Sequence, residues 1–219
     1  MRVRGKIRKL ITGPMCSGKS EETIDALRKA EQHSKGNLRS AAFKPTTDSR
    51  SGPGLIESKA DGNIKGKSIP AIEIPAKGDG PWQILERLKQ IEAEKGPVDL
   101  IVVDEINFFP IESEFFDVVL RLLEKGYDLI LSGLAYDYRD LPFGSTLLFA
   151  VMAEELVKKP AYCARCGADD ATHSQRIHPD GTLARFNEAQ EEVDDGTVCT
   201  YEPRCDRCFV VLDRPVPKY

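Results

Sequence analysis

The chain has 219 residues, 41% of them hydrophobic and 30% charged, and its formal net charge is −4. This composition is ordinary for a globular protein, and the length allows one sizeable α/β domain with a small addition. The sequence contains no internal repeat, no low-complexity tract and no apolar run long enough to cross a bilayer, which argues against repeat proteins and membrane spans.

The first part of the chain predicts a strand, a helix and a second strand. Residues 7–12 predict a short strand that runs into a glycine-rich loop. A helix is expected over about residues 19–34, because acidic residues in its first turns suit the positive end of the helix dipole. Residues 38–43 predict the next strand, which we expect Lys44-Pro45 to end.

The central part of the chain predicts a loop, a strand and an amphipathic helix. Residues 46–66 are rich in Gly, Ser, Asp and Lys, which indicates a loop or hairpin, and a short strand is expected near residues 68–74. A helix is expected to begin near residue 81. Four of its apolar residues share one face: Ile84, Leu85, Leu88 and Ile91.

Two uninterrupted apolar runs predict strands that are buried on both faces of a parallel sheet. They occupy residues 100–103 and 127–132, and a helix is predicted between them over residues 112–125. This alternation predicts an α/β fold with a parallel sheet and helices on both faces. Because the amino-acid pattern changes near residue 160, we expect two domains, residues 1–159 and residues 160–219.

An eight-residue segment between the first strand and the first helix matches the GxxxxGK[ST] motif of phosphate-binding loops. Its residues are Gly13, Pro14, Met15, Cys16, Ser17, Gly18, Lys19 and Ser20. The backbone N–H groups of such a loop surround phosphate oxygens at the positive end of a helix. We expect Lys19 to reach the β- and γ-phosphates of ATP and Ser20 to bind Mg²⁺. The alternative is a chance match in a loop.

Two carboxylates, Asp104 and Glu105, follow directly after the buried strand 100–103. In nucleotide-binding proteins one such carboxylate orients Mg²⁺, usually through water, and its neighbour can activate the attacking group. We therefore predict that Asp104 and Glu105 share a site with the phosphate-binding loop. The alternative is a pair of solvated charges at a strand end.

Two Cys-x-x-Cys pairs, Cys163 with Cys166 and Cys205 with Cys208, lie near the carboxyl terminus. The apolar stretch near the amino terminus is too short for a signal peptide, so we expect a cytoplasmic protein with reduced thiols. Four thiolates complete a tetrahedral zinc site, and a structural Zn²⁺ is predicted. The alternative, a redox dithiol, would need only one pair, and the other two cysteines are expected to be free.

The carboxyl-terminal segment 160–219 is acidic, with 7 Lys and Arg against 11 Asp and Glu. A surface that binds nucleic acid normally carries a basic patch. We therefore expect neither nucleic acid nor a membrane among the partners of this chain, which argues against a zinc-ribbon ATPase that acts on nucleic acid.

Five blocks of the sequence occur in the order found in a known family. The blocks are the phosphate-binding loop with Glu21-Glu22, Phe43-Lys44-Pro45 with Asp48-Ser49-Arg50, residues 104–109, Gly133-Leu134 with residues 141–144, and residues 201–205. Together they resemble the cellular-type (type II) thymidine kinases over most of residues 8–212. The resemblance implies an α/β phosphate-loop core of the RecA-like type with a small zinc-binding domain.

The resemblance also implies a reaction, the transfer of the γ-phosphoryl group of ATP to the 5′-hydroxyl of thymidine. On this basis Glu105 is the general base, Asp104 is the magnesium-side carboxylate, and Lys19 and Arg50 neutralise charge on the transferring group. Asn107 is assigned to the cofactor-binding residues. The resemblance further implies a homotetramer and feedback inhibition by dTTP.

The family's nucleoside pocket is lined mostly by apolar and aromatic side chains. By resemblance the substrate-binding residues are Met15, Phe108, Leu134, Tyr138, Phe143, Ser174 and Tyr201. A loop over roughly residues 186–204, here called the lasso, is expected to close over the nucleoside, with zinc anchoring both ends of this lid. The alternative reading of any one pocket aromatic is core packing.

Several positions depart from the family pattern. Asn107 stands where glutamine is usual, Cys16 replaces a phenylalanine, Ser51 replaces a tyrosine, and residues 191–196 make the lasso unusually acidic. No predicted catalytic group is lost. Because several departures surround the pocket and its lid, the alternative function is a related deoxynucleoside kinase with another base preference, for example deoxyuridine.

Overall fold

The computed structural model describes residues 4–48, 52–59, 66–189 and 199–215. Three α-helices and ten strands are found in these ranges. In chain order they are β1 (Ile7–Thr12), α1 (Lys19–His33), β2 (Ser40–Pro45), β3 (Leu55–Glu57), β4 (Ser68–Pro70), β5 (Ile72–Ile74), α2 (Gln83–Lys95), β6 (Leu100–Val103), α3 (Phe115–Glu124), β7 (Asp128–Gly133), β8 (Leu156–Lys158), β9 (His173–Ile177) and β10 (Thr200–Arg204).

Six strands form one parallel sheet in the order β5-β2-β6-β7-β1-β8. The strand β6 is Leu-Ile-Val-Val and is buried along its whole length, as expected for a central strand covered on both faces. β7 lies between β1 and β6, so the phosphate-binding loop and the two carboxylates are separated by the end of one intervening strand. The predicted α/β class with a parallel central sheet is confirmed.

Two apolar layers cover the two faces of the sheet. On one face, Ile101 and Val103 of β6 belong to a cluster that includes residues of α2 and α3. On the other face, Leu100 and Val102 pack with residues of α1 and of the hairpin formed by β3 and β4. The alternation of neighbouring side chains between the two faces follows from the period of two along a strand.

Three of the differences between the predicted and the observed boundaries have a structural cause. The strand expected near residues 68–74 divides at Ala71, because β4 pairs with β3 and β5 pairs with β2. The dipeptide Lys44-Pro45 was expected to follow β2 but belongs to it as its last two residues. At the end of a strand, the missing N–H of proline removes few of the hydrogen bonds between strands. The third helix begins at Phe115, because Ser113 turns back to bond the carbonyl of Pro110.

The carboxyl-terminal part contains the antiparallel pair of β9 and β10, followed by the second cysteine pair. Sequence alone did not predict these strands, because Ser174, Gln175 and Arg176 are polar although all three are buried. The division at residues 159 and 160 stays a prediction. Among the described residues, no helix combines the length and the apolar character needed to cross a membrane.

Candidate active site

The phosphate-binding loop joins β1 to α1, as its mechanism requires. Gly18 is the N-cap of α1 and has φ 78°, a left-handed conformation that favours glycine. At Gly13 a Cβ atom would lie 2.1 Å from the carbonyl oxygen of Lys159, so only glycine allows this approach. Cys16 also has a positive φ of 60°, which is rare for a residue with a side chain and is a known form of strain at functional sites.

Polar groups of the loop are arranged for an anionic ligand. The Lys19 ammonium is buried and donates a hydrogen bond of 2.8 Å to the carbonyl of Pro14, across the loop. The hydroxyls of Thr12 and Ser17 are buried and have no hydrogen-bond partner among the residues that the structure describes. Buried hydroxyls of this kind are usually satisfied, so the loop fits a phosphate group that would accept from them.

The loop and the acidic pair meet at the carboxyl edge of the sheet. Ser20 Oγ donates to Asp104 Oδ2 at 3.4 Å. Ser132, near the end of the intervening strand β7, donates its hydroxyl to Asp104 Oδ1, as does the backbone N–H of Glu105 at 3.0 Å. The structure thus brings Ser20 and Asp104 together, and hard oxygen ligands of this type suit Mg²⁺.

Burial controls the ionisation of Asp104. Loss of solvent raises its pKa, the charge of Glu105 and more weakly that of Asp48 raise it further, and the Ser132 hydrogen bond opposes them, so that the pKa reaches about 6. Asp104, Glu105 and Asp48 are each at most 6% exposed. The adjacent buried carboxylates of Asp104 and Glu105 are costly unless a cation or a proton compensates them.

The backbone of Glu105 is held in an unusual conformation. Its φ and ψ are 51° and 43°, the left-handed region, directly after β6. Such a conformation costs of the order of 1–3 kcal/mol for a residue with a side chain and persists where the surroundings impose it. The chain then continues as a short 3-10 helix over Ile106–Phe108, which contains Asn107 and the predicted pocket residue Phe108.

Aromatic residues next to the carboxylates form a pocket wall. The rings of Phe108 and Phe143 meet edge to face, with centroids 5.9 Å apart and planes at 78°. Leu134 follows β7, and its backbone N–H donates to Asn107 Oδ1 at 2.9 Å. A cavity of about 210 Å³ is lined by Asn107, Phe108, Phe143 and neighbouring residues. The structure therefore groups Asn107, predicted as a cofactor-binding residue, with the predicted nucleoside-binding residues.

Tyr138 lies deeper than the other predicted pocket residues and contacts the first part of the lasso. It is 2% exposed. Its hydroxyl donates to the carbonyl of Glu188 at 2.7 Å, and the guanidinium of Arg176 lies over its ring at 5.2 Å. Arg176 in turn donates to the carbonyl of Ala189 at 2.7 Å. Burial raises the pKa of the Tyr138 hydroxyl. Tyr138 and Arg176 thus hold the chain where the lasso begins.

The hairpin of β9 and β10 carries two more predicted residues, Ser174 and Tyr201, and Ser174 contacts the phosphate-binding loop. Ser174 Oγ accepts a hydrogen bond of 3.0 Å from the backbone N–H of Met15 in the phosphate-binding loop. Tyr201 stands opposite Arg176 in the β9–β10 register, so the two side chains share one face of the hairpin. Arg50 and the lasso residues 190–198 lie outside the described residues.

The four cysteines of the two Cys-x-x-Cys pairs converge in the carboxyl-terminal lobe. All their sulfur atoms lie within 4.8 Å of one another, and Cys166 Sγ is 3.7 Å from Cys205 Sγ. With Zn–S bonds of about 2.3 Å, neighbouring sulfurs of a tetrahedral site are about 3.8 Å apart, so this arrangement fits zinc. None of the four is in a disulfide.

The ionisation of these thiols supports the same conclusion. Burial disfavours the thiolate of Cys163, but backbone hydrogen bonds at Cys205, Cys166 and Arg165 outweigh it and lower its pKa to about 6. Burial and the neighbouring sulfurs raise the pKa of Cys208 to about 12. A bound cation is what allows all four sulfurs to be thiolates at once.

Comparison with known protein families agrees with this geometry. The profile of a family described as thymidine kinase matches residues 5–209. The chain belongs to the thymidine kinase family. It is therefore an enzyme, a nucleoside kinase that uses ATP, and the four-cysteine cluster is consistent with the zinc-bearing lobe that the resemblance implied.

Three residues at the site of this thymidine kinase family member were not predicted from the sequence. Ser132 bonds Asp104, Asp48 is buried near it, and Arg176 packs on Tyr138. Asp48 had a signal, since it belongs to a block that carries the family resemblance. Ser132 and Arg176 had none, because their roles depend on strand order and on a hairpin that has no apolar alternation.

Proposed function

We propose that this enzyme transfers the γ-phosphoryl group of ATP to the 5′-hydroxyl of thymidine. The observation that carries the proposal is the hydrogen bond from Ser20 of the phosphate-binding loop to Asp104, with Glu105 next in the chain. The phosphate-binding loop follows β1, the two carboxylates follow β6, and the aromatic residues Phe108 and Phe143 follow β6 and β7, so all of them extend from the same edge of the sheet. This shared edge suits a phosphoryl donor and a nucleoside that are bound next to each other.

On the donor side, the chain's contribution is positioning and charge. The N–H groups of the loop and the hydroxyls of Thr12 and Ser17 would bind phosphate oxygens, and Lys19 would exchange its bond to the Pro14 carbonyl for the β- and γ-phosphates. Mg²⁺, when held by Ser20 and Asp104, would neutralise charge between these phosphates. We assign Arg50 the neutralisation of the transferring group by family resemblance.

On the acceptor side, Glu105 would act as the general base. Its carboxylate takes the proton of the 5′-hydroxyl while the oxygen forms a bond to the γ-phosphorus, and the bond to the β–γ bridging oxygen breaks to release ADP. Phe108 and Phe143, whose rings meet edge to face, would flank the base, and Leu134 is held near them by the hydrogen bond from its N–H to Asn107. Their apolar surfaces exclude water, which favours transfer to the nucleoside over hydrolysis of ATP.

The carboxyl-terminal lobe would serve the acceptor side without taking part in the chemistry. Zinc, held by the four cysteines, would fix the lobe, and the lasso would close over the nucleoside. The contacts of Tyr138 and Arg176 with the carbonyls of Glu188 and Ala189 support this, because they fasten the segment from which the lasso starts. Closure would bring Tyr201 to the pocket.

The proposed substrate is tested by initial rates with ATP and Mg²⁺ on thymidine, deoxyuridine, deoxycytidine and the purine deoxynucleosides. We expect the highest kcat/KM with thymidine. A higher value for deoxyuridine would instead support the alternative, a related deoxynucleoside kinase with another base preference. No phosphorylation of any nucleoside, with ATP hydrolysis intact, would contradict the proposal.

We also propose a homotetramer located in the cytoplasm and inhibited by dTTP, in keeping with the family resemblance. Light scattering at several protein concentrations measures the assembly. Inhibition by dTTP that is competitive with thymidine would support a shared site, because dTTP carries both the base and the phosphate groups that the two halves of the site accept.

A further inference from the structure

Lys44, near the end of β2, is a buried cation outside the residues assigned above. It is 1% exposed. Its ammonium donates to the backbone carbonyls of Asp48 at 3.2 Å and Gly52 at 3.4 Å. The carboxylates of Asp48 and Glu73 lie 3.7 Å and 3.6 Å from the same nitrogen. Four oxygens therefore surround one buried charge.

A lysine in this position is costly for folding. Removing an ammonium from water carries a penalty that buried ion pairs often fail to repay, and well-packed apolar residues can replace such pairs without loss of stability. β2 pairs on one side with β5 and on the other with β6, so an apolar residue would suit the site. The burial of this cation is therefore best explained by the positions in which it holds the residues that it contacts.

Each of the two residues whose carbonyls bind Lys44 also donates a backbone hydrogen bond. The N–H of Asp48 donates to the carbonyl of Pro45 at 3.1 Å, and the N–H of Gly52 donates to Glu57 Oε2 at 2.8 Å. Because the ammonium of Lys44 bonds both carbonyls, it fixes the backbone of Asp48 relative to that of Gly52.

Asp48 is a buried carboxylate at the same edge of the sheet as the acidic pair. It is 5% exposed and follows the carboxyl end of β2. The N–H of Asp104 donates to the carbonyl of Phe43, the residue before Lys44 in β2, at 3.0 Å. Like charges at one edge repel each other, and the Lys44 ammonium, 3.7 Å from the Asp48 carboxylate, offsets this repulsion.

We propose that Lys44 is a positioning residue for phosphoryl transfer, which keeps the Asp48 carboxylate at the sheet edge that carries Asp104 by neutralising it and by bonding the backbone carbonyls of Asp48 and Gly52. The ammonium of Lys44 is surrounded by four protein oxygens, and Lys44 is not among the residues assigned to either substrate. The inference rests on the proposed function, since it describes how the acidic side of that site is kept in place.

A double-mutant cycle tests whether Lys44 acts through Asp48. The variants are Lys44→Met, Asp48→Asn and the two combined, with kcat and both KM values measured at saturating Mg²⁺ on the best nucleoside substrate. We expect each single change to lower kcat by about 30-fold or more, with the KM for ATP changed by less than about threefold, because the phosphate-binding loop is untouched. The combined variant should be within about fivefold of Asp48→Asn alone.

Two further variants separate positioning from general destabilisation. Lys67→Met is the matched control, because Lys67 forms comparable ion pairs with Glu21 and Asp25 but lies on the surface, and it should keep kcat within about twofold. Lys44→Arg retains the charge and should recover at least about tenfold of the kcat lost in Lys44→Met. If Lys44→Met does not fold, the combined variant, in which Asp48 is neutral, still gives the comparison with Asp48→Asn.

The proposal is overturned if folded Lys44→Met keeps a kcat near that of the parent. It is also overturned if the combined variant falls more than about fivefold below Asp48→Asn, because the two residues would then act independently. An unaltered parent that phosphorylates no nucleoside counts against the proposed function instead, so the two failures are distinguishable.

Discussion

The hydroxyl oxygen of Ser174 accepts a hydrogen bond of 3.0 Å from the backbone N–H of Met15. Met15 belongs to the phosphate-binding loop, and Ser174 lies on β9, whose partner β10 leads directly into Cys205. The two residues are 159 positions apart in the chain. Contacts therefore run without interruption from the predicted zinc ligands, through the hairpin, to the loop that is expected to hold ATP.

We predict that Ser174→Ala weakens ATP binding as well as nucleoside binding. The change removes the acceptor of a buried N–H, which costs about 1–3 kcal/mol of stability, and it leaves the peptide at Met15 less firmly oriented. The KM for ATP should rise several-fold and the melting temperature should fall. Ser174→Thr keeps the acceptor and is the control. An unchanged KM for ATP in a folded Ser174→Ala protein would show that the contact is incidental.

We predict one zinc ion per chain, held by the four clustered cysteines. Cys166→Ser should reduce the zinc content, measured by elemental analysis, to well below one per chain, whereas Cys16→Ser should leave it unchanged because Cys16 lies outside the cluster. Zinc removal by a chelator should also raise the KM for ATP through the contact between Ser174 and Met15. Full zinc content in Cys166→Ser would exclude this residue as a ligand.

We predict that Asp104→Asn makes the ligand-free protein more stable at neutral and alkaline pH. The pKa of Asp104 is raised from 3.8 to about 6 in the folded state, so the folded protein retains a proton that the unfolded chain has released. This favours folding at low pH, and the contribution is lost as the pH rises from about 4 to above about 6. Above that range the parent carries a penalty of about 3 kcal/mol, from 1.36 kcal/mol for each pKa unit.

Denaturation by urea in the presence of EDTA, from pH 4 to pH 8, measures this difference. The stability gain of Asp104→Asn should be largest at pH 8 and should approach zero near pH 4. Catalysis should be lost in the same variant, because the amide replaces the carboxylate that faces Ser20. A gain that is constant across this pH range would contradict the assignment of the titration to Asp104.

We predict that Glu105→Gln binds both substrates but loses most turnover. Glutamine preserves the shape of the side chain but removes its negative charge and its ability to accept a proton, so kcat should fall by about 10²–10⁴-fold. Titration calorimetry should give dissociation constants for ATP and thymidine close to those of the parent. Glu94→Gln, at an exposed position of α2, is the control, and a kcat near that of the parent in Glu105→Gln would remove Glu105 as the base.

Local patterns predicted much of the fold and the core of the site. The phosphate-binding loop, the Asp104-Glu105 pair and the apolar residues of β6 are each formed by a few consecutive residues. They can therefore be recognised without knowing which distant segments of the chain lie next to them. The strand β1 was predicted with the bounds that the structure has, because a short apolar run is enclosed by turn residues on the loop side.

Contacts between distant segments could not be predicted in this way. Ser132 bonds Asp104 because β7 is inserted between β1 and β6, and strand order is a property of the assembled sheet. Ser174 bonds Met15 only because the hairpin folds back over the loop, and β9 carries no apolar alternation that would have identified it as a strand. The division of residues 68–74 at Ala71 likewise depends on distant partners, because β4 pairs with β3 whereas β5 pairs with β2.

The short edge strands of the central sheet limit how copies of this chain can associate. Both edge strands, β5 and β8, are only three residues long, and proline follows each closely, at Pro75 and at Pro160. Proline has no N–H to donate, and short edges give an incoming strand little to pair with. The sheet is thus poorly suited to grow by strand addition. Copies of this chain should associate through side-chain surfaces and should resist fibrillar aggregation.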